Sequence, residues 1–219
     1  MDITHKLLAR VASASYFSSA AIRNLGFTSV SRVQCKLTGT ICYIAKHVPT
    51  RQIVISFRGS DDVQDWKINL NIAKVHTTRM HKGFVTAYNS VRTRLLHEVR
   101  GCIGWTIYGT SHSLGGALIN ISASDHEIHY KELVTFGQPR VFGIKSKSDL
   151  GGTKLTRYVD VSDIVCLLPF YKYKHLGKPV FIKDGKIVPP MNRFKRWVEA
   201  SKAWKWPRSH SISNYIIAL

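Results

Sequence analysis

A strand pattern that runs into a serine and turns at once into a helix pattern constrains this chain more than any other feature. The stretch is IYGTSHSLGGAL (107–118), followed by INISASD (119–125). A connection this sharp strains the serine backbone, so small residues are needed two positions before it and two after. Taking Ser113 as the apex puts Ser111 and Gly115 at those flanks. Its hydroxyl then stands above the sheet, and the helix N-terminus behind it favours developing negative charge. Glycine is usual at the first flank, and Ser111 carries a Cβ that makes the turn less relaxed. A rival register with Ser111 at the apex has Gly109 before it but no glycine two residues later. It would also bury the turn inside the strand, so we take Ser113. Taken alone, such a pattern also describes an ordinary tight strand–helix connection.

Around this turn the chain alternates. Strands are expected at VSRVQCKL (30–37), ICYIAKH (41–47), RQIVISF (51–57), IGWTIYG (103–109), ELVTFG (132–137) and KLTRYV (154–159). Helices are expected at 89–100 and 114–125, and at the N-terminus with Thr4 as cap before Leu7, Leu8, Val11 and Ala12. Alternating strands and helices predict an α/β sheet covered on both faces. With 219 residues and no linker or repeat, we expect one domain over 1–219. The last fifty residues read as closer to irregular.

Composition narrows the class. At 44% hydrophobic and 11% aromatic the chain can bury a core, which excludes a disordered class. No apolar run approaches the roughly 18 residues of a membrane span. Asp2 and Arg10 break up any secretory leader at the N-terminus. Cys35, Cys42, Cys102 and Cys166 show no CxxC spacing, which favours a reduced protein, cytoplasmic or peripheral to a membrane, with one or two disulfides still open. Lys and Arg number 32 against 13 acids, a net +19. Such an excess reports on partners, either nucleic acid or an anionic membrane surface.

In chain order, VISFRGS (54–60), DW (65–66), HKGF (81–84), the serine turn, TFGQPRV (135–141), DIV (163–165) and LP (168–169) resemble the class 3 (fungal-type) lipases. The resemblance implies an α/β-hydrolase fold, with a central, mostly parallel twisted sheet flanked by helices. It also implies a lipase or esterase that cleaves lipid acyl esters through an acyl-enzyme, with no metal or cofactor.

Acyl transfer by serine needs a base and a group that orients it, and in this fold they follow in the order Ser, Asp or Glu, His. Asp163 follows the 154–159 strand within a few residues and matches the family's acid, with Asp160 the nearest rival. His210, in SHSIS (209–213), matches the family's late histidine. His175 lies in a basic loop and reads as a surface residue, and His112 as a packing and hydrogen-bonding residue. The N–H of Leu114 supplies one oxyanion donor, and by resemblance Ser60 supplies the second through its N–H, with its hydroxyl as a further donor. The resemblance places a lid over 61–70, where Val63, Trp66, Ile68 and Leu70 are the apolar substrate-facing residues. A lid so short and polar implies modest interfacial activation and partly soluble or polar-headed substrates. Two departures from the family, Phe142 and Cys166, fall where an acyl or alcohol pocket is expected.

Other motifs carry less. DHEIH (125–129) is not HExxH and lacks a third metal ligand; no GxxxxGK[ST] occurs; FYKYK (170–174) interleaves aromatic and basic residues but belongs to no nucleic-acid module. Between 193 and 208, six cations stand against Glu199 alone. There Arg193, Lys195, Arg196, Trp197 and Trp204 are membrane-contact candidates, either on an interfacial helix or on one whose aromatic face packs on the sheet. Alternative readings remain a phospholipase A1-like enzyme on anionic membranes, or a non-catalytic basic protein on the same fold that binds membrane or nucleic acid.

Overall fold

The structure is a computed structural model and describes residues 1–60, 80–169, 172–202 and 208–219, without the side chains of residues 193, 194, 200, 202 and 208. Its frame is an eight-stranded sheet: β1 (Ser29–Cys35), β2 (Thr40–His47), β3 (Gln52–Phe57), β4 (Thr106–His112), β5 (Tyr130–Phe136), β7 (Lys154–Asp160), β9 (Lys178–Lys183) and β10 (Lys186–Val188). They lie side by side in chain order. β3, β4, β5, β7 and β9 run parallel to one another, and β1 and β2 at one end and β10 at the other are added by antiparallel pairing. Two short strands, β6 (Phe142–Gly143) and β8 (Tyr173–Lys174), form a separate ribbon.

Parallel strands need crossovers, and these put helices on both faces. One face carries α1 (His5–Ala14), α2 (Ser19–Arg23) and the last helix; the other carries α3 (Lys82–Arg100) and α4 (Leu114–Ser124). β3 shows how the sequence serves both. Ile53, Ile55 and Phe57 enter the core under α3 and α4, while Val54 faces α1 with Tyr43, Tyr108 and Phe136. A strand buried on both sides has no polar face, which is why QIVISF reads as an almost continuous apolar run. α1 is capped by Thr4, whose Oγ1 accepts from Leu7 N at 3.1 Å. Leu8, Val11 and Ala12 are its buried stripe.

Three expectations shift. The 103–109 strand runs instead over Thr106–His112, because parallel pairing with β3 sets its register and carries it to the residue before Ser113. The helix expected at 89–100 begins at Lys82, where Phe84 and Tyr88 are buried. The C-terminal fifty residues form β8, β9, β10, α5 (Arg193–Lys202) and α6 (Ile212–Ile217). Their strand character comes from pairing with β7 rather than from propensity. Lys178, Lys183 and Lys186 sit on this end of the sheet, a common way of blunting an edge.

α4 meets β3 so closely that a Cβ on Gly115 would stand 2.1 Å from the Phe57 carbonyl oxygen. That contact is with backbone and has no side chain to move aside. Gly115→Ala is expected to destabilise the fold by about 1–3 kcal/mol in urea unfolding. Gly101→Ala, where nothing lies within 4 Å, should change stability by less than about 0.5 kcal/mol.

Candidate active site

Ser113 holds φ +55° and ψ −131°, a left-handed conformation unusual for a residue with a Cβ. Three contacts impose it. Its N–H donates to the Phe136 carbonyl of β5 at 3.0 Å, its carbonyl accepts from Gly116 N at 2.9 Å, and Gly115 presses on Phe57. The unusual Ser111 is accommodated because its hydroxyl is tied into the strands, accepting from Phe57 N at 2.9 Å and donating to the Thr110 carbonyl. Being wholly buried and so engaged, Ser111 is not available as the apex nucleophile.

The Ser113 Oγ lies 2.7 Å from His210 Nε2, and His210 Nδ1 lies 2.7 Å from Asp163 Oδ2. All three side chains are buried. With Asp163 ionised, Nδ1–H donates to the carboxylate, which leaves Nε2 to accept the serine proton. Asp163 follows β7 and caps the turn Ile164–Leu167, its Oδ1 accepting from Val165 N at 2.9 Å. Its Oδ2 also accepts from the Tyr215 hydroxyl at 2.8 Å and stands 3.5 Å from the Cys166 thiol. Burial alone would push this carboxyl up. The His210 charge and the bonds from His210 and Tyr215 outweigh burial and hold it below the ordinary carboxylate value. Asp160 is placed differently. Its Oδ1 accepts from Ser162 N at 2.9 Å, and burial pushes it up to about 6, so it serves as a turn residue beside the site.

Several of the remaining neighbours are beyond local sequence reasoning. Gly137 has φ +60°, and a Cβ there would come within 2.8 Å of Asp163 Oδ2 and 3.0 Å of His210 Cε1. Only glycine leaves room for the pair; its place in TFGQPRV was the available signal. Tyr215, in α6, is fully buried and also accepts from Asp160 N at 3.2 Å. No local motif announces it. His112 stacks against His210, with ring centroids 4.5 Å apart, and Nδ1 lies 2.8 Å from the Tyr16 hydroxyl. Burial, then the His210 charge, lower it to about 3, so it stays neutral beside the histidine it supports.

Leu114 opens α4, where the first backbone N–H groups have no acceptor within the helix. Ser60 lies half-buried three residues past Phe57, which pairs with Ser111. Gly59, just before it, packs so tightly that a Cβ would meet the Tyr16 hydroxyl at 1.9 Å and the His112 carbonyl at 2.9 Å. Val63, Trp66, Ile68, Leu70 and Trp204 lie outside the described residues, as does the Arg193 side chain. Of the basic helix, Lys195 and Trp197 are exposed, but Arg196 is buried at 9% exposure with its guanidinium over the Phe181 ring. This corrects its assignment to a membrane-contact face: the helix presents Arg196 to the sheet and Trp197 to solvent. His175 is likewise packed inward, its Nε2 donating to the Cys166 carbonyl at 2.8 Å. Phe142 belongs to the core with Phe84, and Cys166 packs with Val159, Val161 and Phe181 behind Asp163. In 125–129, Asp125 and Glu127 pair with Arg92.

The profile of the lipase (class 3) family matches residues 54–173. The chain belongs to the class 3 lipase family. A lipase of Rhizomucor miehei is 29% identical over 168 residues, covering 67% of this chain and 46% of that protein. The chloroplastic phospholipase A(1) DAD1 of Arabidopsis thaliana is 28% identical over 151 residues, covering 54% of this chain and 34% of that one. The chain thus matches about half or less of the length of these curated relatives. The solved Rhizomucor miehei lipase propeptide complex superposes with a TM-score of 0.67 at 22% identity, covering 81% of this chain and 67% of that structure. The fold is the α/β-hydrolase fold of this family.

The Tyr215 bond to Asp163 has a pH signature. A carboxyl held below its ordinary 3.8 stabilises the fold fully above that value, and the contribution is lost as pH falls through the lower folded value. Tyr215→Phe removes one of the bonds that hold it down, so the folded value rises toward 3.8, the acid loss becomes smaller and is complete at higher pH, and stability near neutrality falls by about 1–3 kcal/mol. Urea unfolding between pH 2 and 7 tests this; parallel curves for the two proteins would count against it.

Proposed function

We propose that this chain is a serine carboxylic-ester hydrolase that cleaves lipid acyl esters through an acyl-enzyme. One observation carries the reading: a buried, continuous hydrogen-bonded line from the Ser113 hydroxyl through His210 to Asp163. Family membership supports it.

The chemistry follows from the line. As Ser113 Oγ bonds to the ester carbonyl carbon, His210 Nε2 takes its proton. The resulting imidazolium is stabilised by Asp163, whose charge Tyr215 and Val165 N–H help to hold. A neutral His112 matters here, because a second cation at its ring distance would oppose that imidazolium. The carbonyl oxygen becomes an oxyanion, for which the N–H groups of Leu114 and Ser60 are the proposed donors. Collapse breaks the ester C–O bond, and His210 returns its proton to the leaving alcohol. Water then attacks the acyl-enzyme, giving its proton to His210, and the fatty acid leaves as Ser113 recovers its hydrogen. Every group in the cycle is a side chain or backbone N–H of this chain, and no cofactor is invoked.

Ser113→Ala should lower hydrolysis of a p-nitrophenyl ester series by at least about 10⁴-fold, and Asp163→Asn by a similar factor, with urea midpoints near wild type. Wild-type protein without turnover at any chain length would defeat the proposal.

A phospholipase A1-like activity at an anionic membrane is the second reading. The name of the Arabidopsis relative, the +19 charge and the exposed Trp197 beside Lys195 favour it. No helix among the described residues is long and apolar enough to cross a membrane. Binding to vesicles containing phosphatidylserine should then weaken steeply between 50 and 500 mM salt as the screening length shortens. Binding indifferent to salt, or none, would remove this reading.

A further inference from the structure

Behind the Asp163 loop the protein buries positive charge that no described carboxylate pairs with. Arg157 is the fourth residue of β7, inside the sheet, and 4% exposed. Its Nε donates to the Leu176 carbonyl at 2.8 Å and Nη2 to the Gly177 carbonyl at 3.3 Å; Nη1 is buried without a partner. Val159, two residues on and so on the same face, pairs with Phe181 of β9. The Arg196 guanidinium lies over that Phe181 ring, 5.9 Å from its centroid. Two guanidiniums therefore share one face of the sheet. Arg196 is more than nine-tenths buried, and its Nε and Nη2 also have no partner. His175 completes the group: Nε2 donates to the Cys166 carbonyl, which leaves a buried Nδ1 as an unpartnered acceptor.

The three side chains act on one another. Burial first, then the charges of Arg196 and Arg140, bring Arg157 down to about 10. Burial, Arg157, Arg196 and Arg140 also depress His175, which stays neutral. An uncompensated buried cation is strongly destabilising, and an apolar residue in its place usually is not. Lysine or arginine at a surface can snorkel into water; these two do not. The unmet groups are guanidinium N–H donors with one imidazole acceptor. Guanidinium forks match the oxygens of a phosphate, and a lone acceptor matches a P–OH. Carboxylates lack that hydroxyl when charged.

We propose that Arg157, Arg196 and His175 form a binding site for a terminal phosphate group, either the phosphate monoester of a lipid headgroup or free hydrogenphosphate. The site abuts the ester-hydrolysing centre: the Cys166 carbonyl takes the His175 bond, and the Cys166 thiol touches Asp163. It stands independently of the hydrolase reading, because binding is read without turnover.

The test is calorimetric titration and thermal unfolding of the whole chain with inorganic phosphate, sodium chloride holding ionic strength constant. Parallel titrations use glycerol 3-phosphate, and vesicles of phosphatidylcholine with and without phosphatidic acid. A saturable rise in Tm is expected with phosphate or its monoesters. Arg196→Gln should weaken that binding at least 10-fold, while Lys186→Gln, an exposed lysine on β10, should change it less than 2-fold. Without phosphate, Arg196→Gln should be no less stable than wild type, since it removes an uncompensated charge. If Arg196→Gln does not fold, Arg196→Lys takes its place, with affinity at least 3-fold weaker because the fork is lost. Glycerol 3-phosphate binding 10-fold tighter than phosphate, with vesicles bound only when they hold phosphatidic acid, identifies a headgroup site. Equal affinities identify a free-phosphate site. No saturable effect beyond matched chloride, or an effect that the Arg196 variant keeps, overturns the proposal.

Discussion

The rest of the site depends on the backbone of Ser113, held at a positive φ by the sheet below it and the helix beyond it. β4 runs to His112 in unbroken register with β3 up to Ser111 and with β5 from Tyr108 onward, and α4 must start at Leu114 because Gly115 is pressed onto the Phe57 carbonyl. Between those two limits a single residue absorbs the change of direction. The strain is borne by burial on both faces of the sheet, so the reactive hydroxyl is presented by a buried strand–helix junction rather than by a loop.

Around that hydroxyl, charge is arranged by packing. Asp163 is the one carboxylate at the centre, and its oxygens accept from His210, Tyr215 and Val165. The ring stacked on His210 is kept neutral, and Gly137 clears space that a Cβ would take. On the other side of Cys166 the balance is reversed, with two guanidiniums and no described carboxylate. Two adjoining places thus differ in sign, one anionic with its oxygens satisfied, one cationic with guanidinium N–H groups left without partners.

The serine turn, most of the strands and the helices on both faces were legible because each rests on local spacing: β-branched apolar runs between turn residues, helical spacing in α1 and α3, and small residues around one apex. Asp163 and His210 could be picked out by chain order and motif, and the structure brings both to Ser113. What escaped depends on contacts distant in sequence. Tyr215 meets Asp163 across 52 residues, and nothing near it marks the partnership. β9 was hidden by its lysines, since its strand character comes from pairing with β7. The helical spacing in 193–206 separates the two faces but does not say which meets protein, and so Arg196 was assigned to the wrong side. His175 was read as surface for the same reason: it is half-buried, with its ring nitrogens turned inward to the Cys166 carbonyl from a basic stretch of chain.

The central claim is that Ser113 is the nucleophile of an ester-hydrolysing line. Labelling the native protein with a fluorophosphonate and mapping the adduct by peptide mass spectrometry tests it most directly. A single adduct on Ser113, abolished by His210→Ala in a protein that still folds, is the predicted result. An adduct on Ser111 or elsewhere, or no adduct on folded protein, would contradict it.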